Sequence, residues 1–134
     1  MFYTSYFAKL KKIPENITPV SIAGKAPDWY RGIQFKKLAP KYGFFMEYKE
    51  DHDEEKYTKC FYEQVLDNLD ANEVSIQIRK LAENSDIALI CYEKPSDFCH
   101  RHLVMEWLKD NGIPCGGELD LEDKKLEDPW IYYN

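Results

Sequence analysis

The chain has 134 residues, 44% hydrophobic and 31% charged, which excludes a disordered tract and suits a single domain, residues 1–134, with a core of its own. The formal net charge of −6 excludes general binding to duplex DNA, because most of the surface would repel a polyanion. No segment reaches the length of a membrane span, and the first residues lack the layout of a signal peptide. A cytoplasmic protein with no membrane partner is therefore expected, its four cysteines (Cys60, Cys91, Cys99, Cys115) reduced.

Residues 2–7, Phe-Tyr-Thr-Ser-Tyr-Phe, are strand formers and predict a buried strand broken between Lys9 and Pro14. Residues 17–23 predict a second strand, closed by Gly24 and Pro27. Pro27-Asp28 then opens an expected helix over 28–38, with Trp29, Ile33 and Leu38 as its apolar stripe. A short strand at 44–48 and an exposed charged loop at 50–56 follow. Residues 57–69 show the clearest helical period, through Tyr57, Phe61, Tyr62, Val65, Leu66 and Leu69. A further helix is expected over 73–84, capped by Asn72, with Val74, Ile78, Leu81 and Ala82 inward. Residues 87–92 form an unbroken apolar run, the mark of a strand covered on both sides. The loop Glu93-Lys94-Pro95 leads to Ser96 as N-cap, and a helix runs to about Asp110 before Asn111-Gly112. A last short strand is expected over 113–119, with an acidic tail from about 118.

Strands alternating with helices predict a small three-layer α/β fold, a mostly parallel sheet with helices on both faces. Ligands of such sheets bind outside the carboxyl ends of the strands. The loops after residues 7, 23 and 92 then share one edge, which gathers Lys9, Lys25, Asp28 and Glu93. Basic groups concentrate early: residues 1–41 hold eight basic and two acidic side chains, and the remainder hold ten and twenty-two. A solvated face is the plain reading of that asymmetry; an anion site on the loops is the sharper one. Most of the ten tyrosines are assigned to packing.

The segment Cys91–His102 carries the chemistry. On a helix begun at Asp97, Leu103, Val104, Trp107 and Leu108 define the buried face, His100 points inward, and His102 points to water. A helix start behind a buried strand favours anions. Cys99 is the candidate nucleophile there, Glu93 the acid/base and His100 the proton carrier. Arg101 is the candidate anion clamp, with Lys9, Lys25 and Trp29 as further ligand contacts. Each also has a plain structural role: Cys91 as a small core residue, His100 as a core histidine on a loop carbonyl, Glu93 and Arg101 as loop ties. Jointly, these residues mark a site. No metal and no cofactor is expected. Cys91-x7-Cys99-His100 lacks zinc-ribbon or zinc-finger spacing, and no Cys-x5-Arg loop, P-loop or G-x-G-x-x-G occurs.

The junction Cys-Tyr-Glu-Lys-Pro-Ser-Asp-Phe-Cys-His-Arg-His (91–102) resembles the hallmark of the domain-of-unknown-function 488 family: a strand ending Cys-x-Glu, a short loop, and a helix opening Cys-His-Arg. Tyr3-Thr-Ser-Tyr-Phe-Ala, Ser21-Ile-Ala-Gly-Lys-Ala-Pro-Asp-Trp-Tyr and Lys37-Leu-Ala-Pro-Lys resemble the branch found in phage and other mobile bacterial elements. The resemblance spans most of residues 2–112. It implies a small bacterial or phage cytoplasmic α/β protein and brings no assigned reaction. Three readings stay open, in this order: an enzyme acting on an anionic small molecule or nucleotide; a non-catalytic nucleotide- or anion-binding module; and a protein-interaction domain in which the junction is structural.

Overall fold

In a computed structural model, which describes residues 1–121, five strands form one all-parallel sheet. The strands are β1 (Phe2–Tyr6), β2 (Ile17–Ser21), β3 (Ile33–Gln34), β4 (Asp86–Cys91) and β5 (Cys115–Glu118), in the order β3-β2-β4-β1-β5. The apolar run predicted at 87–92 is the central strand. β4 pairs with β1 from Phe2↔Ile87 to Tyr6↔Cys91, and with β2 from Ile17↔Asp86 to Ser21↔Ile90. Residues 87–90 are fully buried, as a strand flanked and covered on all sides requires. The acidic tail falls, from residue 122 on, outside the described residues.

Among the described residues four α-helices follow in chain order: α1 (Tyr42–Asp51), α2 (Glu54–Gln64), α3 (Ala71–Leu81) and α4 (His100–Asp110). Their buried side chains join one core with Phe2, Val20, Ile87 and Leu89, one face of the sheet. Phe61, Ile78 and Leu108 are completely enclosed there, each burial contributing about 1.5–3 kcal/mol before entropy is subtracted. The opposite face (Ile17, Ala88, Ile90) is covered by Phe7 of the 3-10 helix Phe7–Lys12 and by Ala23 and Tyr30 of the loop after β2. Three layers result, and every strand delivers its carboxyl end to the same edge.

Several local expectations are corrected. The helix expected at 28–38 is a series of turns, the two-residue β3 and a 3-10 turn, Lys36–Leu38. Of its expected stripe, Leu38 is fully buried and Ile33 packs on the core, but Trp29 is 57% exposed, and Gly32 is pressed against the Tyr30 ring. The strand expected at 44–48 lies inside α1: Phe44, Phe45 and Tyr48 follow the helical spacing i, i+1, i+4, which five residues alone do not separate from alternation. The loop expected at 50–56 is a helix junction, with His52 left-handed (φ 51°) and the Asp53 carboxylate accepting from the Lys56 amide at 3.0 Å. Asp70, not Asn72, caps α3, accepting from the Glu73 amide at 3.0 Å. Leu81, expected inward, is exposed.

β5 carries one irregularity that shapes the site. Phe2 pairs with Cys115, but Tyr3 pairs with Gly117 and Thr4 with Glu118, so one extra residue is taken up at Gly116. Gly117 adopts φ 80°, a conformation that costs glycine nothing and other residues strain. The slip moves Glu118 to the face of the sheet that Thr4 occupies, under α4. Without it the two would point to opposite faces.

Candidate active site

At the carboxyl ends of β2 and β4 lies a cavity of about 470 Å³. Its floor is Cys91 and Glu93 at the end of β4 and Cys99 and His100 at the start of α4, and Gly24 and Lys25, after β2, form part of its rim. The walls are aromatic: Tyr42, Phe45, Tyr48, Tyr57, Tyr92 and Phe98. Tyr48, Tyr57 and Phe98 pack on one another with ring centroids 5.1–5.3 Å apart. Burial raises the Tyr57 phenol and, with smaller contributions from Glu54 and Glu93, that of Tyr48, so both are neutral donors at physiological pH. The Tyr92 hydroxyl donates to the Lys25 carbonyl at 2.5 Å and pins the rim loop to the end of β4.

α4 starts three residues later than the Ser96 cap predicts. Cys99 occupies the N-cap in an extended conformation (φ −153°, ψ 143°) with no side-chain capping bond. His100 points inward as expected. Its Nε2 lies 2.8 Å from the Ile22 carbonyl, an acceptor only, so Nε2 carries the proton and Nδ1 keeps its lone pair. That Nδ1 lies 3.8 Å from Cys99 Sγ. Burial, opposed in part by the Ile22 bond, pulls the His100 pKa down to about 4, so the ring is neutral at pH 7. Cys91 and Cys99 are joined as a disulfide, which corrects the expectation that all four cysteines are reduced; Cys60 and Cys115 are free. Glu93 is exposed at the cavity, with Oε2 3.8 Å from Cys91 Sγ.

Arg101 is placed differently from the rest. It is 0% exposed and does not line the cavity. Its Nε and Nη2 donate to the two oxygens of Glu118, both at 3.1 Å, in a bidentate fork. Nη1 donates to the Glu93 carbonyl at 2.6 Å and to Cys91 Sγ at 3.1 Å, while Thr4 Oγ1 donates to Glu118 at 2.6 Å. The guanidinium thus ties β4, β5 and α4 together beneath the floor, and directs one N–H of a fixed cation at the Cys91 sulfur. His102, expected in water, is half-buried, with its Nε2 enclosed and unpartnered.

Of the residues singled out in the sequence, Glu93, Cys99, His100 and Lys25 meet at the cavity. Lys9 lies in a separate depression with Pro95 and Glu118, and Trp29 in another beside Arg31 and Pro14. The aromatic walls draw on tyrosines that the sequence assigns mostly to packing rather than to a cleft, because tyrosine content does not separate a cavity wall from a core.

An all-parallel sheet with sulfur, imidazole and carboxylate groups below an aromatic cavity at its carboxyl edge defines a small α/β protein with a candidate site. The chain belongs to the DUF488 family: the family model described as the active DUF488-N3 subclade matches residues 5–112. No curated protein and no solved structure matches the chain. Among the described residues, no helix is long and apolar enough to cross a membrane.

Proposed function

We propose that the protein is an enzyme acting on a ring-bearing anion, a nucleotide free or at the end of a strand, with the reaction centred on the floor of the cavity. The observation that carries this reading is the convergence of Cys91, Glu93, Cys99 and His100 beneath aromatic walls at the carboxyl edge of a parallel sheet. The exposed rings Tyr42 and Tyr92 offer stacking surfaces for a base, and Lys25 at the rim offers one cation for a phosphate. Glu93 serves as acid/base, being both solvent-reachable and beside the sulfur pair. His100, with its Nε2–H committed to Ile22, serves as a fixed lone-pair donor rather than a proton carrier. The word "active" in the description of the family model supports catalysis over a bare binding module. The bacterial or phage cytoplasmic setting that the sequence resemblance implies belongs to the same proposal.

The test is a melting-temperature screen with the common nucleoside monophosphates and short 5′-phosphorylated oligonucleotides, followed by chromatographic assay for product. Saturable stabilisation is expected, reaching about 2.7 kcal/mol at a hundredfold excess over Kd. Lys25→Ala should weaken it, and Glu93→Gln should abolish turnover while leaving binding. Binding without product under any condition assigns a binding module instead, and no shift with any nucleotide removes the reading altogether.

A further inference from the structure

We propose that Cys91, Cys99 and His100, once the Cys91–Cys99 disulfide is reduced by a thiol or phosphine to two thiolates, hold a divalent transition metal of the zinc type whose fourth position opens into the cavity. The inference deepens the proposed function and rests on its placing of the chemistry on this floor. It assigns the sulfurs as ligands rather than as nucleophiles. It also reverses the expectation drawn from spacing alone, that these residues hold no metal.

The geometry points this way on four counts. The three ligand atoms, Cys91 Sγ, Cys99 Sγ and the ring nitrogen of His100, lie within 4.8 Å of one another, and all three residues are buried. The lone pair of His100 Nδ1 is on the side of Cys99, and its Nε2–H is fixed on a backbone carbonyl, the outer partner that metal-bound histidines ordinarily have. The Cys91 and Cys99 Cα atoms are 7.6 Å apart, beyond the roughly 4.4–6.8 Å usual for disulfides. Two metal–sulfur bonds of about 2.3 Å at a tetrahedral angle set the sulfurs roughly 3.8 Å apart and fill that span. Lastly, the Arg101 Nη1–H directed at Cys91 Sγ is the charge-assisted bond that stabilises a coordinated thiolate.

Two adjacent residues inside a helix would diverge by a helical step of about 100°, whereas Cys99 and His100 do not both lie inside one. They converge because Cys99 is the extended N-cap and only His100 is helical, so the pair straddles the change of backbone direction. Three protein ligands with one open position is the arrangement of catalytic rather than structural zinc. A water in that position would face Glu93, which could take its proton and leave a bound hydroxide. Two sulfurs and one imidazole favour zinc or cobalt over magnesium or calcium.

The test titrates Co²⁺ into chelator-treated full-length protein kept under a phosphine reductant, with folding followed by circular dichroism. One Co²⁺ per chain is expected, with intense sulfur-to-cobalt absorption that one equivalent of Zn²⁺ displaces. Cys99→Ser should lose most of that absorption, whereas Cys60→Ser and Cys115→Ser should keep it. His100→Gln, which retains a donor for the Ile22 carbonyl, should weaken Co²⁺ at least tenfold while remaining folded. Cys91→Ser should behave as Cys99→Ser if it folds, and the other variants decide the question if it does not. Folded, reduced protein without sulfur-to-cobalt absorption overturns the metal site, as does absorption indifferent to Cys99→Ser. Nucleotide binding that persists in metal-free protein would leave the proposed function standing in that case. Cobalt bound as expected with no response to any nucleotide would remove the function and leave the metal.

Discussion

Replacing Arg101 with leucine separates a structural fork from a ligand clamp. The side chain is wholly buried, makes two charge-assisted bonds to Glu118, and adds bonds to the Glu93 carbonyl and to Cys91 Sγ. Charged hydrogen bonds contribute about 1.5–3 kcal/mol each when one partner is lost. They do not sum here, because the exposed Glu93 backbone can turn to water and the Glu118 side chain is already 20% exposed with Thr4 still donating to it. Breaking a buried pair from one side costs about 3–5 kcal/mol, and we expect that range. With a urea m-value of about 2 kcal/mol/M, the midpoint should fall by about 2 M. Arg101→Lys keeps the charge without the fork and should fall part of the way. Arg101→Leu combined with Glu118→Leu should recover much of the loss, because no buried charge is then left unpaired. A midpoint shift of Arg101→Leu below about 0.5 M, with ligand binding lost, would refute the structural assignment.

Two further outcomes follow from particular residues. In chelator-treated protein the neutral His100 should make stability pH-dependent: its folded pKa of about 4 lies below its ordinary 6.5, so the unfolded chain binds the extra proton first. Stability is then whole above pH 6.5 and lost as pH falls toward 4, by on the order of 3 kcal/mol. Urea midpoints across that window should show a shallower slope for His100→Gln, and an unchanged slope would contradict the burial of a neutral ring. Gly117→Ala, at φ 80°, should cost about 1 kcal/mol and loosen the register that brings Glu118 to Arg101. Thermal melts should show a smaller loss for Gly24→Ala, where an added Cβ meets nothing within 4 Å.

Elements whose signal is long and local were legible in the sequence: β1, the buried β4, and the helical stretches within 57–69 and 73–84, where Phe61, Val74 and Ile78 repeat at helical spacing. The inward aim of His100 was legible too, since a histidine one turn before Val104 and Trp107 shares their face. Segments too short for periodicity to discriminate were misread, as 28–38 and 44–48 show. The cap of α4 was misplaced because Ser96 is the better capping residue, yet packing fixes the chain as helical only from His100.

Composition and patterning alone were enough for the α/β fold with a parallel sheet and for naming residues 91–101 as the candidate site, because burial periods and residue types are properties of the chain itself. Tertiary structure alone decided how those residues divide. A one-residue bulge in β5 turns Glu118 toward Arg101 and withdraws the guanidinium from the cavity. The Ile22 carbonyl, 78 positions from His100, selects its tautomer. Aromatic rings of α1 and α2, far in sequence from the floor, become its walls. Such pairings depend on register and helix placement, which neighbouring residues do not encode.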